Sequence, residues 1–310
     1  MANEIVVKEK KGIADYLTTP AVKENITNVL GKDHVDSFVA DVVACVQNNE
    51  TLAKCTNKSI FSAALLSKSI NLPLTPQLGY CYLVPYDNKK QKDGKTVYEK
   101  EATFQMGWKG YVQLALRSNN FKKIVTTDVR KGEITGFNPF EDEYEVFNPF
   151  EDEYEVHPIE FEKRIAKDDK GNYLMPIVGY YAKIVFSNGM SKEMYMSKED
   201  MLTFATRYSK AYRNDMNKHT SYSFWTTSFD DMAKKTMLRQ LLGKYGLLTA
   251  ELQTAYTHDM AIERDDGSLD YVDNKPDDSE PVVNPFKEEV IIDAEVIPAD
   301  IAKEADEVFK

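Results

Sequence analysis

The stretch GYCYLVPYDNKKQKDGKTVYEKEATFQMGW, residues 79–108, decides the fold class. Two runs rich in aromatic and β-branched residues, YCYLVPY and VYEKEATFQMGW, flank the polar segment DNKKQKDGKT. Asp93-Gly94 is a turn signal, because tight hairpin turns need positive φ and Asp-Gly tolerates it. These residues predict a β-hairpin with a long tip loaded by Lys89, Lys90, Lys92 and Lys95.

Helical texture surrounds the hairpin. Upstream, residues 13–70 read as helical: Val35, Phe38, Val39, Val42, Val43 and Val46 follow the 3.6-residue period. A second helix over 59–70 is closed by Pro73. Downstream, residues 109–118 return to helix and 124–130 read as a strand. Residues 179–186 and 192–197 flank Ser187-Asn188-Gly189, a further hairpin turn. Ser197-Lys198-Glu199-Asp200 resembles a capping box opening a helix to about residue 213. A last helix spans 228–245 and is stopped by Gly246. The expected class is α+β, with a β-hairpin and small antiparallel sheet packed on helices. The expected division is an N-terminal helical region (1–70), a core (71–262) and an acidic tail (263–310).

The net charge of −11 is unevenly spread. Residues 263–310 hold 16 Asp/Glu against 5 Lys/Arg, contain four prolines and are poor in aromatics, which predicts disorder. The segment FNPFEDEYEV at 137–146 recurs unchanged at 147–156, adding eight acids and no base. A ten-residue repeat is too short for a solenoid unit, so it reads as a local duplication in a surface loop, where added length costs little. Setting both segments aside leaves an excess of eight positive charges elsewhere, a moderately basic core.

Catalytic motifs are missing from the sequence. Four histidines show no metal-ligand spacing, and neither a GxxxxGK[ST] phosphate loop nor a GxSxG elbow occurs. Cys45, Cys55 and Cys81 show no CxxC spacing and read as reduced, buried thiols. No apolar run approaches the roughly 18 residues of a membrane span, and the first residues lack a signal-peptide core. The expectation is a cytoplasmic protein without a cofactor, in which Mg2+ assists only as a screening ion.

Binding chemistry is better represented. Lys109, Gln113 and Arg117 share one helix face at i, i+4, i+8, with Gln105 and Trp108 just upstream. Two cations, an amide and a large aromatic suit phosphate contacts and base stacking; an ordinary solvated stripe is the competing reading. Lys234, Lys235 and Arg239 repeat the theme on the last helix, and Arg207, Lys210 and Arg213 on the helix before it. Several separate basic segments favour a polyanionic partner more than any one does.

The strings LPLTPQLGYCYLVPY (72–86), EATFQMGWKGYVQLALRSNNF (101–121) and FDDMAKKTMLRQLLGKYG (229–246) resemble the RecT family of phage-type annealing proteins in order and spacing. The resemblance covers about residues 15–260. It implies a compact annealing-protein core with single-stranded DNA in a basic groove between hairpin and helices. It also implies annealing of strands exposed by a 5′→3′ exonuclease in a bacterial host cell, assembly into rings or helical filaments, and no ATP. Carried over residue by residue, it puts Gln105, Trp108, Lys109 and Arg117 at the groove, joined by Lys234, Lys235 and Arg239. Expected partners are single-stranded DNA, annealed duplex DNA, further copies of the chain, the exonuclease and a host single-strand-binding protein, with no membrane. The N-terminal helices are the expected subunit contacts. Rival readings are a passive single-strand coat and, less favoured, a nuclease using Asp230 or Asp231.

Overall fold

A computed structural model describes residues 12–92, 95–131, 133–138, 143–146, 167–246, 248–264 and 268–271. The first copy of the duplication lies partly inside these bounds; the second copy and residues 272–310 lie outside them, as does the expectation of disorder there.

The N-terminal region is a packed set of short helices: α1 (Ile13–Leu17), α2 (Pro20–Leu30), α3 (Val35–Gln47), α4 (Glu50–Ala53) and α5 (Asn57–Ser69). On α3 the buried positions are Val35, Phe38, Val42 and Val46, within the predicted stripe, while Val39 and Val43 flank them half-buried. Phe61 of α5 meets Tyr16 and Phe38 edge-on, each at 6.3 Å between ring centroids, the geometry that aromatic quadrupoles favour. Thr56 caps α5, and its own N–H donates to Lys100 O at 2.9 Å. Ser59 Oγ accepts from Ala102 N at 2.9 Å. Both bonds tie the helices directly to the hairpin.

That hairpin is β1 (Cys81–Lys92) with β2 (Lys95–Met106), antiparallel from Cys81↔Met106 to Lys92↔Lys95. The expected long tip is therefore strand almost to its end. Pairing propagates through the DNKKQK stretch opposite KTVYEK, whose Thr96, Val97 and Tyr98 favour strand. At its base β2 is covered on both faces: Ala102, Phe104 and Met106 are buried, and so are Thr103 and Gln105 between them.

Beyond α6 (Trp108–Arg117) come β3 (Phe121–Arg130), β6 (Ile177–Phe186) and β7 (Ser191–Ser197), an antiparallel sheet in the order β3-β6-β7. The tight turn at 187–190 falls where predicted. The duplicated segment departs from expectation. Its first copy supplies part of β4 (Ile134–Asn138) and all of β5 (Glu143–Val146), which pair with each other; Phe, Tyr and Val at strand positions outweigh the acids between them.

Ser197 opens α7 (Lys198–Tyr208), accepting from Asp200 N at 3.0 Å and donating to its carboxylate at 2.6 Å. The single helix expected to residue 213 is broken at Ser209, which is extended (φ −103°, ψ 107°) and caps α8 (Lys210–Lys218). After α9 (Phe224–Thr227), α10 (Phe229–Tyr245) crosses the three-stranded sheet. The chain then runs through α11 (Ala250–His258) to the pair β8 (Ala261–Glu263) and β9 (Leu269–Tyr271), so β pairing continues past residue 263. Among the described residues, no helix is long and apolar enough to cross a membrane.

Candidate nucleic-acid interface

The first turn of α6 is set by backbone-to-backbone contact. Gly107 N donates to Tyr80 O at 2.9 Å. A Cβ on Gly107 would lie 2.1 Å from Gly79 O, and one on Gly110 2.1 Å from Tyr80 O. Only glycine lets the lead-in of β1 press against this turn, which aims Trp108 and Lys109 outward.

Trp108 is half-buried, and its Nε1 donates to Asp231 Oδ1 at 3.1 Å. Lys109 and Lys234 each place Nζ 5.7 Å from the indole centroid, and Lys234 lies 3.8 Å from Asp231. Two cations and one carboxylate leave the cluster net positive around a partly accessible aromatic face. Below it Tyr82 packs on Phe224 at 5.8 Å between centroids. Burial first, and the nearby Asp231 charge second, push the Tyr82 hydroxyl above its ordinary pKa, so it stays a neutral donor.

The predicted residues do not form one continuous groove. Gln105 lies beneath the cluster, 2 % exposed, with Nε2 3.7 Å from Met232 Sδ. Its Oε1 has no hydrogen-bond partner among the described residues. Gln113 is half-buried farther along α6. Arg117 is exposed, but Nη1 donates to Ile70 O at 3.3 Å and Asn71 O at 3.0 Å, closing the end of α5. Arg213 acts alike on α7, donating to Thr206 O and Arg207 O. Arg207 lies 5.6 Å from the Tyr208 ring and Lys210 is exposed at the start of α8. The side chains of Lys89, Lys90, Lys92 and Lys95 lie outside the described residues.

Lys235 and Arg239 correct the sequence reading most. Rather than lining a solvated groove, Lys235 is 4 % exposed and donates to Asp259 Oδ1 at 2.9 Å. Arg239 donates to Oδ2 at 2.7 Å and stacks 4.3 Å over Tyr256. Met106 N at 2.9 Å and Tyr111 Oη at 3.0 Å complete the shell of this fully buried carboxylate. Burial alone raises the Asp259 pKa; the two cations and the hydrogen bonds from Lys235 and Met106 outweigh it and hold the group below the ordinary carboxylate range. Burial, then Asp259, push the Tyr111 hydroxyl far up. A cavity of about 320 Å3 opens beside this network, walled by Phe204, Tyr208, Trp225 and Tyr256. The neutralising acid came from a distant segment that carries no local signal.

Asp230 and Asp231, the rival nuclease pair, are engaged elsewhere: Asp230 accepts from Tyr180 Oη at 2.6 Å and Asp231 from Trp108. Among the described residues, no three His, Cys, Asp or Glu side chains are gathered as a metal site.

The model of the RecT family matches residues 36–272, more than three-quarters of the chain. The chain belongs to the RecT family. RecT membership carries a general role in single-strand annealing during recombination, with single-stranded DNA as the ligand. The uncharacterized protein YqaK of Bacillus subtilis (strain 168) is 28 % identical over 279 residues, spanning 88 % of this chain and 83 % of its own. Protein RecT of Escherichia coli (strain K12) is 24 % identical over 248 residues, spanning 80 % of each. The RecT match begins inside the N-terminal helices and ends one residue after β9, so it covers both the Trp108 cluster and the Asp259 network.

Proposed function

We propose that this protein binds single-stranded DNA at the Trp108–Lys109–Lys234 cluster and anneals it to a complementary strand without ATP, acting as a homo-oligomer. The observation carrying this reading is the indole held by Asp231 with two ammonium groups 5.7 Å from its centroid. Cations take up phosphate charge while an aromatic face receives a base, a pairing that is tolerant of sequence. Neutralising one backbone lowers its repulsion of the second, and base pairing supplies specificity and driving force, so nucleotide hydrolysis is not required. Mg2+ adds screening rather than chemistry.

One protomer covers few nucleotides, so assembly into a ring or helical filament extends the track, and the N-terminal helices are the proposed contacts between copies. A 5′→3′ exonuclease supplies the strand, and a host single-strand-binding protein is displaced from it. The acidic residues beyond 263 dock one of these partners or compete with DNA; removing 272–310 separates the two, since tighter DNA binding marks competition and lost recombination with intact annealing marks docking.

The decisive experiment is annealing of two complementary labelled oligonucleotides by purified protein without ATP, against a non-complementary pair. Accelerated pairing of the complementary pair alone is expected. Binding without acceleration would make the protein a passive coat, and absence of binding would remove the nucleic-acid reading.

A further inference from the structure

Among the described residues the most exposed aromatic is Tyr222, at 90 % relative exposure. An aromatic left in water is ordinary on a floppy loop, but this loop is tied down. Asp215, 3 % exposed at the inner face of α8, accepts from Thr220 Oγ1 at 2.6 Å, Tyr222 N at 2.9 Å, Ser223 N at 2.7 Å and Thr226 Oγ1 at 2.7 Å. Burial raises the Asp215 pKa, but these donors outweigh it and bring the group down to about 2, so the carboxylate holds the loop throughout the neutral range. His219 in the left-handed conformation (φ 53°) turns the chain out of α8, and Ser223 Oγ caps α9 by accepting from Trp225 N at 3.1 Å. Tyr222 is therefore displayed by a rigid frame with its own N–H spent on that frame.

Position and charge indicate what it meets. Phe224, two residues on, stacks on Tyr82 at the foot of the Trp108 cluster. Two residues reach at most about 7 Å, which keeps the Tyr222 backbone within that distance of Phe224, the residue that joins this loop to Tyr82. Behind it, α8 exposes Lys210 and Lys218 and carries half-buried Arg213, while its one acid, Asp215, is buried in the loop bonds. Of the neighbours of Tyr222 in the loop, Ser221 is exposed and polar, which suits a hydrated polyanion better than an apolar protein surface.

We propose that Tyr222 is a nucleobase-stacking residue that continues the single-strand track from Trp108 onto the 219–223 loop. The assignment rests on the single-strand-binding reading above and adds a residue to it. With its backbone already pinned, Tyr222 gives up only side-chain rotation on stacking, so less of the contact is spent on ordering the loop.

The test uses the full chain and its Tyr222→Ala, Tyr222→Phe and Tyr222→Trp variants, with oligothymidylate and the same oligonucleotide carrying 5-iodouracil. Expected results are a photocrosslink mapping to Tyr222, about tenfold weaker binding by Y222A, and near wild-type binding by the Phe and Trp variants. The dependence of affinity on salt should be unchanged in Y222A, because tyrosine neutralises no phosphate. Equal binding by Y222A, when wild type binds, would overturn this assignment and leave the wider reading standing. Weaker binding accompanied by smaller assemblies in solution would instead make Tyr222 a contact between copies and overturn it too. A wild-type protein that binds no oligonucleotide sinks the single-strand reading and this assignment together.

Discussion

Replacing Asp259 by Asn keeps the side-chain shape and removes the charge at the centre of the buried network. The carboxylate receives four hydrogen bonds, two on each oxygen. Asparagine turns one oxygen into a donor facing two donors, and takes the Asp259 charge away from Lys235, which is 4 % exposed. Breaking a buried ion pair from one side costs about 3–5 kcal/mol. For a folded region of this size each kcal/mol moves Tm by about 2–4 °C, so the fall should be about 6–20 °C. Lys235→Met should cost less, because the Arg239–Asp259 pair survives it. The pH dependence has a definite sign. Asp259 titrates below its ordinary value of 3.8 in the folded protein. Its contribution is therefore complete above that value and lost as pH falls through the depressed one. The gap between wild type and D259N should hold at neutral pH and close only in strong acid. Thermal melts followed by near-ultraviolet circular dichroism read both effects. A D259N melt within about 2 °C of wild type at pH 7 would refute the argument that these cations are structural.

Three further outcomes follow from the same geometry. Lys109→Ala and Lys234→Ala should each weaken single-strand binding and reduce the slope of log K against log salt by about 0.7 with Tm nearly unchanged, read by fluorescence anisotropy across a salt series; an unaltered slope removes that lysine from the phosphate track. Arg117→Ala frees the Ile70 and Asn71 carbonyls and should lower stability by about 1 kcal/mol, discounted for exposure, while leaving the salt slope intact; a changed slope would return Arg117 to the DNA. Gly110→Ala forces a methyl to 2.1 Å from Tyr80 O and 2.9 Å from Met106 Cε; since a backbone oxygen cannot swing aside, a loss of at least about 1–3 kcal/mol is expected in denaturant melts, and a neutral substitution would show that α6 shifts freely.

What the sequence disclosed was whatever depends on neighbours along the chain. The Val35–Val46 stripe, the hairpin around Asp93-Gly94, the Ser197 cap and the turn at 187–190 are all local signals, and each appears in the structure. Lys235 shows the limit of such signals. Beside Lys234, which lies near Trp108, it carries the same charge one residue on, yet it points into the core. That difference depends on Asp259, 24 residues later in the chain. The break at Ser209 was hidden for a related reason: one hydroxyl capping Tyr212 N competes with a helix whose propensities run on without interruption. Tyr222 gave no periodic signal, because its display depends on Asp215 folding back onto the loop.

The Asp259 network also orders events in time. During synthesis the chain emerges from its N-terminus at roughly 5–20 residues per second. Met106 N–H and Asp259 are 153 residues apart, so the finished hairpin waits about 8–30 s for the carboxylate that closes over its base. Until then, Lys235 and Arg239 have no reason to leave water, and α10 lacks the counter-charge that lets it settle on the sheet. Release of the chain before that aspartate is made leaves a polypeptide whose central helix must bury Lys235 without the acid that accepts its hydrogen bond in the finished fold.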